Sequence, residues 1–525
     1  MKILVADPLI PAALEKLQAQ PGWEVTAAAP TTYAAHLGDC DALIVRTVKV
    51  TGEVMAKAPK LRVIGRAGGG SENIDIDAAT DAGILVMNTP GGNAVSVAEH
   101  TLALMLALAR SIPFANQQTK SGKWEVPPIP GTELRGKTLG ILGLGAIGRE
   151  VAKRARALEM RIIAADPFVN PVTAADLGIE LVSQRVLWTR SDYITLHVAL
   201  TPATQGMINE FSLAEMKRGV RIINCARGEL IDTVALAKAI ESGHVGGAAL
   251  DVFQTEPPSA GEPLLAFDNV IATPHIGGAT EEAQEIVGIR VVDQLIDYLQ
   301  NGVVTNAVNL PSITTEQYRA LGPYITLAER LGAFASHVST GNPRAVRIVY
   351  VGRIADPSTN VIRNAAIAGV LNRSLTRRAN LVNSMQIATD RGISVGESHE
   401  SRGANIDSIR VEIESDAGRT SAEGAILLNR PRLLQVDGIP CEAPLAGHVT
   451  YIKNSDVPGV IGYIGSVLGK NHVNIGSYSL GRIDTPAGQQ ATAVSVVQTD
   501  QEVLEPVLLE LLENPALMVA RPVRF

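Results

Sequence analysis

Aromatic side chains are scarce: Phe, Trp and Tyr make up 4% of the 525 residues. The cores must be filled by Ala, Val, Ile and Leu, within a hydrophobic fraction of 46%. Cysteine is scarcer still, with Cys40, Cys225 and Cys441 far apart and unpaired by any CxxC spacing. That argues against a disulfide framework or a Cys-based zinc site, leaves no metal centre expected, and fits a reducing cytoplasm. Lys and Arg form no run and the net charge is −7, so the concentrated basic surface of a nucleic-acid binder is missing. Long apolar runs are missing too. Residues 101–109 form the longest, too short to span a bilayer, and read as a buried helix; no membrane partner is expected. Residues 2–7 read as a short buried strand rather than a signal peptide.

The length implies three or four domains, since one core stops growing well below it. Over the first 90 residues short apolar runs (3–6, 42–45, 62–65 and 85–88) alternate with helical patterns (10–20 and 75–82), which predicts a parallel α/β sheet. A long apolar helix is expected over 96–110. A second α/β unit then begins, with strands over 137–142, 161–165, 193–197, 221–224, 247–251 and 270–272 and helices over 146–158 and 281–300. Asn306–Pro311 reads as a boundary. Residues 312–447 mix helices and strands without a chemical motif. Residues 448–525 read βαββαβ, with strands over 448–453, 473–482, 490–498 and 518–525 and helices over 459–471 and 502–513.

Gly143-Leu144-Gly145-Ala146-Ile147-Gly148 is a GxGxxG motif, weak alone but here set between an apolar strand and a helix. Gly143 permits the tight turn, Gly145 lets backbone approach a pyrophosphate, and Gly148 allows close helix–sheet packing. The helix N-terminus offers free N–H groups to the phosphates. Asp166, at the end of the next strand, is placed to accept hydrogen bonds from ribose hydroxyls and to repel a 2′-phosphate, which selects NAD over NADP.

Arg227, Glu256 and His275 follow three predicted strands, where ligands of open α/β sheets bind. Each alone reads as an ordinary structural residue. Together they suit the oxidation of a hydroxy acid: a histidine takes the hydroxyl proton, a carboxylate orients the ring, and a guanidinium grips the substrate carboxylate in bidentate fashion. Arg46 and Lys49, two cations on one short loop, are candidates for a substrate phosphate; a solvated loop is the equal alternative.

Over residues 1–311 the chain resembles the D-isomer-specific 2-hydroxyacid dehydrogenase family, and within it the long-form branch acting on 3-phosphoglycerate. Residues 63–68, 83–90, 131–148, 224–228, 248–253 and 274–278 carry the likeness. The resemblance implies a Rossmann-type cofactor domain (96–285) inserted in a flavodoxin-like split substrate domain (1–95 and 286–311). It implies that Arg227 binds the substrate carboxylate, that His275 is the acid/base and that Glu256 is its partner. Further cofactor contacts are implied at Ala146, Ile147, Cys225, Ala226, Asp251 and Gly278, with Arg227 and His275 also lining the cofactor, and substrate contacts at Gly68, Gly69 and Gly70. The reaction implied is oxidation of 3-phospho-D-glycerate by NAD, the entry step to L-serine. Two departures touch the site walls: Glu72 stands where the family has Asp, and Val198 where it has Thr. They leave another D-2-hydroxy acid as an alternative substrate. A non-catalytic, NAD-sensing binding protein is the third reading, against which the intact trio argues.

Residues 454–462 and 471–475 resemble an ACT domain, which implies an amino-acid pocket, with L-serine the expected effector and Asn454, Asp456 and Asn474 at the contacting positions. Such pockets pair across subunits, so a homo-oligomer, a tetramer, is expected. Asp456 reads as a helix N-cap and Pro458 as a first-turn residue. Within residues 312–447, Asn380–Ser384 and Arg391–Val395 resemble the intervening domain of the long-form branch, which implies an α+β unit that could hold a second effector.

Overall fold

The computed structural model describes residues 1–124, 131–311, 315–354, 359–375, 378–400, 406–482 and 491–525. Gln490, the first residue of one expected strand, lies outside them, as does the start of the 312–447 unit. Four sheets organise the chain.

The first sheet is parallel, in the spatial order Glu24–Ala27, Lys2–Val5, Ala42–Val45, Val63–Arg66, Leu85–Met87. Its central strands are apolar on both faces because helices cover both. Far along the chain, the helix Glu281–Asn301 returns to it. Thr280 caps this helix through the Ala283 N–H, and Val287, Val291 and Leu295 enter the sheet's core. Gly65 makes that return possible, for a Cβ there would come within 2.7 Å of Val291.

The second sheet is also parallel, ordered Val270–Ala272, Val245–Leu250, Val220–Asn224, Tyr193–Leu196, Thr138–Leu142, Arg161–Ala165, Glu180–Leu181. The chain winds outward from Thr138–Leu142 to one edge, then returns to build the other half beginning at Tyr193–Leu196. The gap between those two strands is therefore the topological switch point, where such sheets bind ligands. The apolar helix Ala94–Ala109 packs against this sheet with Thr101, Leu102, Leu104, Met105 and Leu108 buried. No single helix among the described residues is long and apolar enough to cross a membrane.

The third sheet has six strands, and only Pro343–Val351 and Ser394–Glu400 pair in parallel. The helices Thr315–Val338 and Thr359–Leu371 supply its core. The fourth sheet is antiparallel, ordered Ile475–Arg482, Thr492–Thr499, His448–Ser455, Leu517–Arg524. With Val460–Lys470 and Glu505–Leu512 it forms the expected βαββαβ unit.

One local expectation is corrected, and one strand is added. The helix after Pro458 begins at Val460 with left-handed Gly459 as its N-cap, so Asp456 caps nothing and Pro458 precedes the first turn. Asp456 pairs instead with Arg482, at 3.3 Å. The strand Glu24–Ala27 gave no sequence signal: it is a half-exposed edge strand with polar Glu24 and Thr26, held by pairing with Lys2–Val5.

Candidate active site

The glycine motif folds as its sequence requires. Gly143 sits at φ +89°, and a Cβ there would meet the His197 carbonyl oxygen at 2.4 Å. A Cβ on Gly148 would come within 2.0 Å of the Gly143 carbonyl oxygen, so only glycine lets the helix Ala146–Ala157 press onto the sheet. Gly145 has open space where its Cβ would be, and no side chain caps the first turn of that helix. This is the cradle a pyrophosphate needs. Asp166 accepts hydrogen bonds from the N–H groups of Leu144 (2.7 Å) and Phe168 (2.8 Å), which aim its carboxylate beside the motif. Each oxygen keeps lone pairs for ribose hydroxyls. The residues present thus fit a dinucleotide.

Arg227, Glu256 and His275 follow three neighbouring strands, Val220–Asn224, Val245–Leu250 and Val270–Ala272. His275 Nδ1 lies 2.7 Å from Glu256 Oε2, and Glu256 Oε1 accepts the Phe253 N–H at 3.1 Å. The second ring nitrogen of His275 takes no part in this contact. The Arg227 loop is built by Asn224, a buried side chain that accepts from the Ala226 N–H (3.0 Å) and donates to the Arg227 carbonyl (2.7 Å). Gly228 lets this loop touch the loop of Glu256, because a Cβ there would meet the Phe253 carbonyl carbon at 2.0 Å.

Asp251 is the buried anchor of the His275 loop. Its carboxylate accepts from Thr273 Oγ1 (2.6 Å) and from the N–H groups of Ile276 (2.9 Å) and Gly277 (2.8 Å), with His100 Nε2 at 3.3 Å. Burial acts to raise its pKa, but these hydrogen bonds outweigh it and hold the carboxyl below the usual range. His100, Thr273 and Asn224 escaped the sequence reading, since each looks like an ordinary helix or strand-end residue. Cys225 is buried, and burial pushes its thiol up to about 12.

The opposite wall comes from the first sheet. Asp7 organises the loop carrying Arg46 and Lys49 by accepting from the N–H groups of Arg46 (2.7 Å), Thr47 (3.0 Å) and Val48 (3.1 Å). Lys49 is exposed and Arg46 half-buried. The loop of Gly68, Gly69 and Gly70 follows Val63–Arg66. Asn88 donates to the Gly69 carbonyl at 2.7 Å, and a Cβ on Gly68 would come within 2.1 Å of Arg66 Nη1. Arg66, also missed by the sequence reading, packs beneath this loop. Burial lowers its pKa, Glu72 favours its charge, and Arg227 and Arg46 oppose it. Three guanidiniums thus share one electrostatic neighbourhood, suited to an anion. Glu72 bonds directly to Arg227 across the cleft.

In the C-terminal unit Asn454, Asp456 and Gly459 line a cavity of about 420 Å³ with Arg482 and Ser495. Asn454 is buried, and its Oδ1 has no partner. Asn474 stands apart: it lies at the other end of Ile475–Arg482 from Arg482 and donates to Asp500 at 2.7 Å. One subunit therefore joins only two of the three expected effector residues. Among the described residues no cluster of three His, Cys, Asp or Glu side chains is arranged to hold a metal.

Comparison with known proteins agrees with this architecture. Residues 102–277 match the D-isomer specific 2-hydroxyacid dehydrogenase NAD binding domain, and residues 320–437 the D-3-phosphoglycerate dehydrogenase intervening domain. The D-3-phosphoglycerate dehydrogenase of Methanocaldococcus jannaschii is 43% identical over 98% of both chains. That of Bacillus subtilis is 37% identical over 98% of both. The structure of D-lactate dehydrogenase from Aquifex aeolicus, complexed with NAD and lactic acid, is 30% identical; it covers 59% of this chain and all of its own, with a TM-score of 0.52.

Proposed function

The chain belongs to the D-3-phosphoglycerate dehydrogenases within the D-isomer-specific 2-hydroxyacid dehydrogenase family, NAD-dependent oxidoreductases, and on that basis we propose that it oxidises 3-phospho-D-glycerate to 3-phosphohydroxypyruvate, the first step of L-serine biosynthesis. The observation that carries the site assignment is the convergence of Arg227, Glu256 and His275 after three adjacent strands, with His275 bonded to Glu256.

Gly143, Gly145, Ala146, Ile147, Gly148 and Asp166 would hold the dinucleotide, with Cys225, Ala226, Asp251 and Gly278 as its further contacts. Bound NAD supplies the acceptor for the hydride that leaves C2 of the substrate with both bonding electrons. His275 takes the hydroxyl proton on the nitrogen that does not face Glu256, so the alcohol becomes a ketone and the proton stays on the imidazole. Glu256 fixes the ring and balances the imidazolium. Arg227 grips the substrate carboxylate, with the loop of Gly68, Gly69 and Gly70 beside it. Arg46 and Lys49 serve the phosphate.

The enzyme is further read as a cytoplasmic homotetramer inhibited by L-serine, bound where Asn454 and Asp456 of one subunit meet Asn474 of another. The cavity at Asn454 and the separation of Asn474 from it support a shared pocket. The test is NADH oxidation with 3-phosphohydroxypyruvate, with and without millimolar L-serine. Rapid oxidation suppressed by serine supports substrate and effector together. Failure to turn over, while simpler 2-oxo acids are reduced, overturns the substrate.

A further inference from the structure

Glu72 is bonded to Arg227, the side chain assigned above to the substrate carboxylate. It lies on the loop after Val63–Arg66 in the first sheet, 155 residues from Arg227 on the loop after Val220–Asn224 in the second. Both Nε and Nη2 of Arg227 bond to Glu72 Oε1, while Nη1 donates to the Ala226 carbonyl at 2.6 Å. The Nε–Nη2 edge, one of the two edges that can grip a carboxylate in parallel, is therefore engaged by a carboxylate of the chain itself. Gly70 makes room for the contact: a Cβ there would fall within 2.5 Å of both Glu72 Oε2 and Arg227 Nη2. Burial acts to raise the pKa of Glu72, but Arg227 and its hydrogen bond outweigh that and keep it below the ordinary carboxylate range. The pair is part-exposed, with the Glu72 side chain 52% exposed and that of Arg227 28% exposed.

We propose that Glu72 is an internal counter-ion that latches the two walls of the cleft through Arg227, and that the substrate carboxylate must displace it, so that residue 72 sets the affinity of the site for anions. The inference rests on the assignment of Arg227 to substrate binding. The exchange conserves charge: Glu72 passes to water and the substrate carboxylate takes its place on the guanidinium. A part-exposed ion pair is weak enough to be exchanged. The specificity consequence is direct, because anions too weakly held to compete with Glu72 are turned away. Reach matters as well as charge, since aspartate is one methylene shorter.

The test measures binding of oxamate, an unreactive small carboxylate, to the NADH-loaded enzyme by calorimetry, alongside KM and kcat for 3-phosphohydroxypyruvate. Glu72→Gln should tighten oxamate about fivefold and lower KM similarly, with kcat changing by less than about twofold. Glu72→Asp should behave like Glu72→Gln. Unchanged or weaker oxamate binding in Glu72→Gln overturns the latch. So does an Asp variant that behaves like the parent, which would make the effect one of net charge. Arg227→Met separates the two readings. If it abolishes oxamate binding and turnover while Glu72→Gln alters neither, only the latch fails. If Arg227→Met leaves both intact, the assignment of Arg227 fails as well.

Discussion

His275 and Glu256 meet at 2.7 Å although they stand on loops after different strands, and this bond uses Nδ1 of the ring. A histidine so held presents its other nitrogen in a fixed direction. His275→Ala should cut turnover by about 10²- to 10⁴-fold and leave NADH binding nearly intact. Glu256→Gln keeps a hydrogen-bonding side chain but loses the charge that balances an imidazolium, so it should retain more activity than His275→Ala and less than the parent. Steady-state rates with fluorescence titration of NADH check both; full activity in His275→Ala would end the assignment.

Asp166 makes the cofactor choice testable. Its carboxylate is held in place by two backbone N–H groups rather than by a cation, so a nearby phosphate meets an uncompensated negative charge. Asp166→Asn should lower kcat/KM for NAD and raise it for NADP, narrowing the preference by about tenfold or more. A preference ratio that does not move would assign the discrimination elsewhere.

Asp251 holds the loop that carries His275. Burial opposes its charge, yet the hydrogen bonds from His100, Thr273, Ile276 and Gly277 win and depress its pKa below 3.8. A depressed carboxylate contributes stability that is full above the unfolded value and lost as pH falls through the folded one. Asp251→Asn should therefore lower the melting temperature by a few degrees at neutral pH, with the gap to the parent narrowing only below about pH 4. Because the His275 loop loosens, kcat should fall more than NADH affinity. Equal stability at pH 7 would refute the anchoring role.

The sequence reveals much of this arrangement because parallel strands buried on both faces leave continuous apolar runs. Ala42–Val45, Arg161–Ala165 and Val270–Ala272 fold with the bounds their runs predict. The glycine motif is equally legible, since steric contact leaves no other residue possible at Gly143 and Gly148. Side chains that act across the fold are not legible. Glu72 looked like a conservative departure in a loop, and its bond to Arg227 exists only because two sheets face each other. Arg66 stood within a recognised segment, yet only its burial beneath Gly68 marks it as part of the cleft. Asp456 misled because an Asp before a Pro-Gly pair reads as a cap, whereas Arg482, from another strand, claims its carboxylate.

His197 carries the last prediction. It follows the strand Tyr193–Leu196, with Nε2 2.9 Å from Thr195 Oγ1 and its buried Nδ1 unpartnered. Burial lowers its pKa from 6.5 to about 3, so the folded protein holds it neutral. The unfolded chain binds the proton at the ordinary value and the folded one does not. The stability of this neutral form is therefore full above about pH 6.5 and declines as pH falls toward the folded value. The decline approaches about 1.4 kcal/mol per pH unit for a single group. His197→Gln, which can still bond Thr195 but does not titrate, should flatten the dependence of unfolding free energy between pH 6 and 4, as chosen assay limits, while costing stability at pH 8. Denaturant melts of parent and variant across that range measure the difference in slope directly. Parallel pH profiles would mean that His197 is hydrated or relaxes on protonation, and that its carbonyl contact with Gly143 matters to the fold more than its ring does.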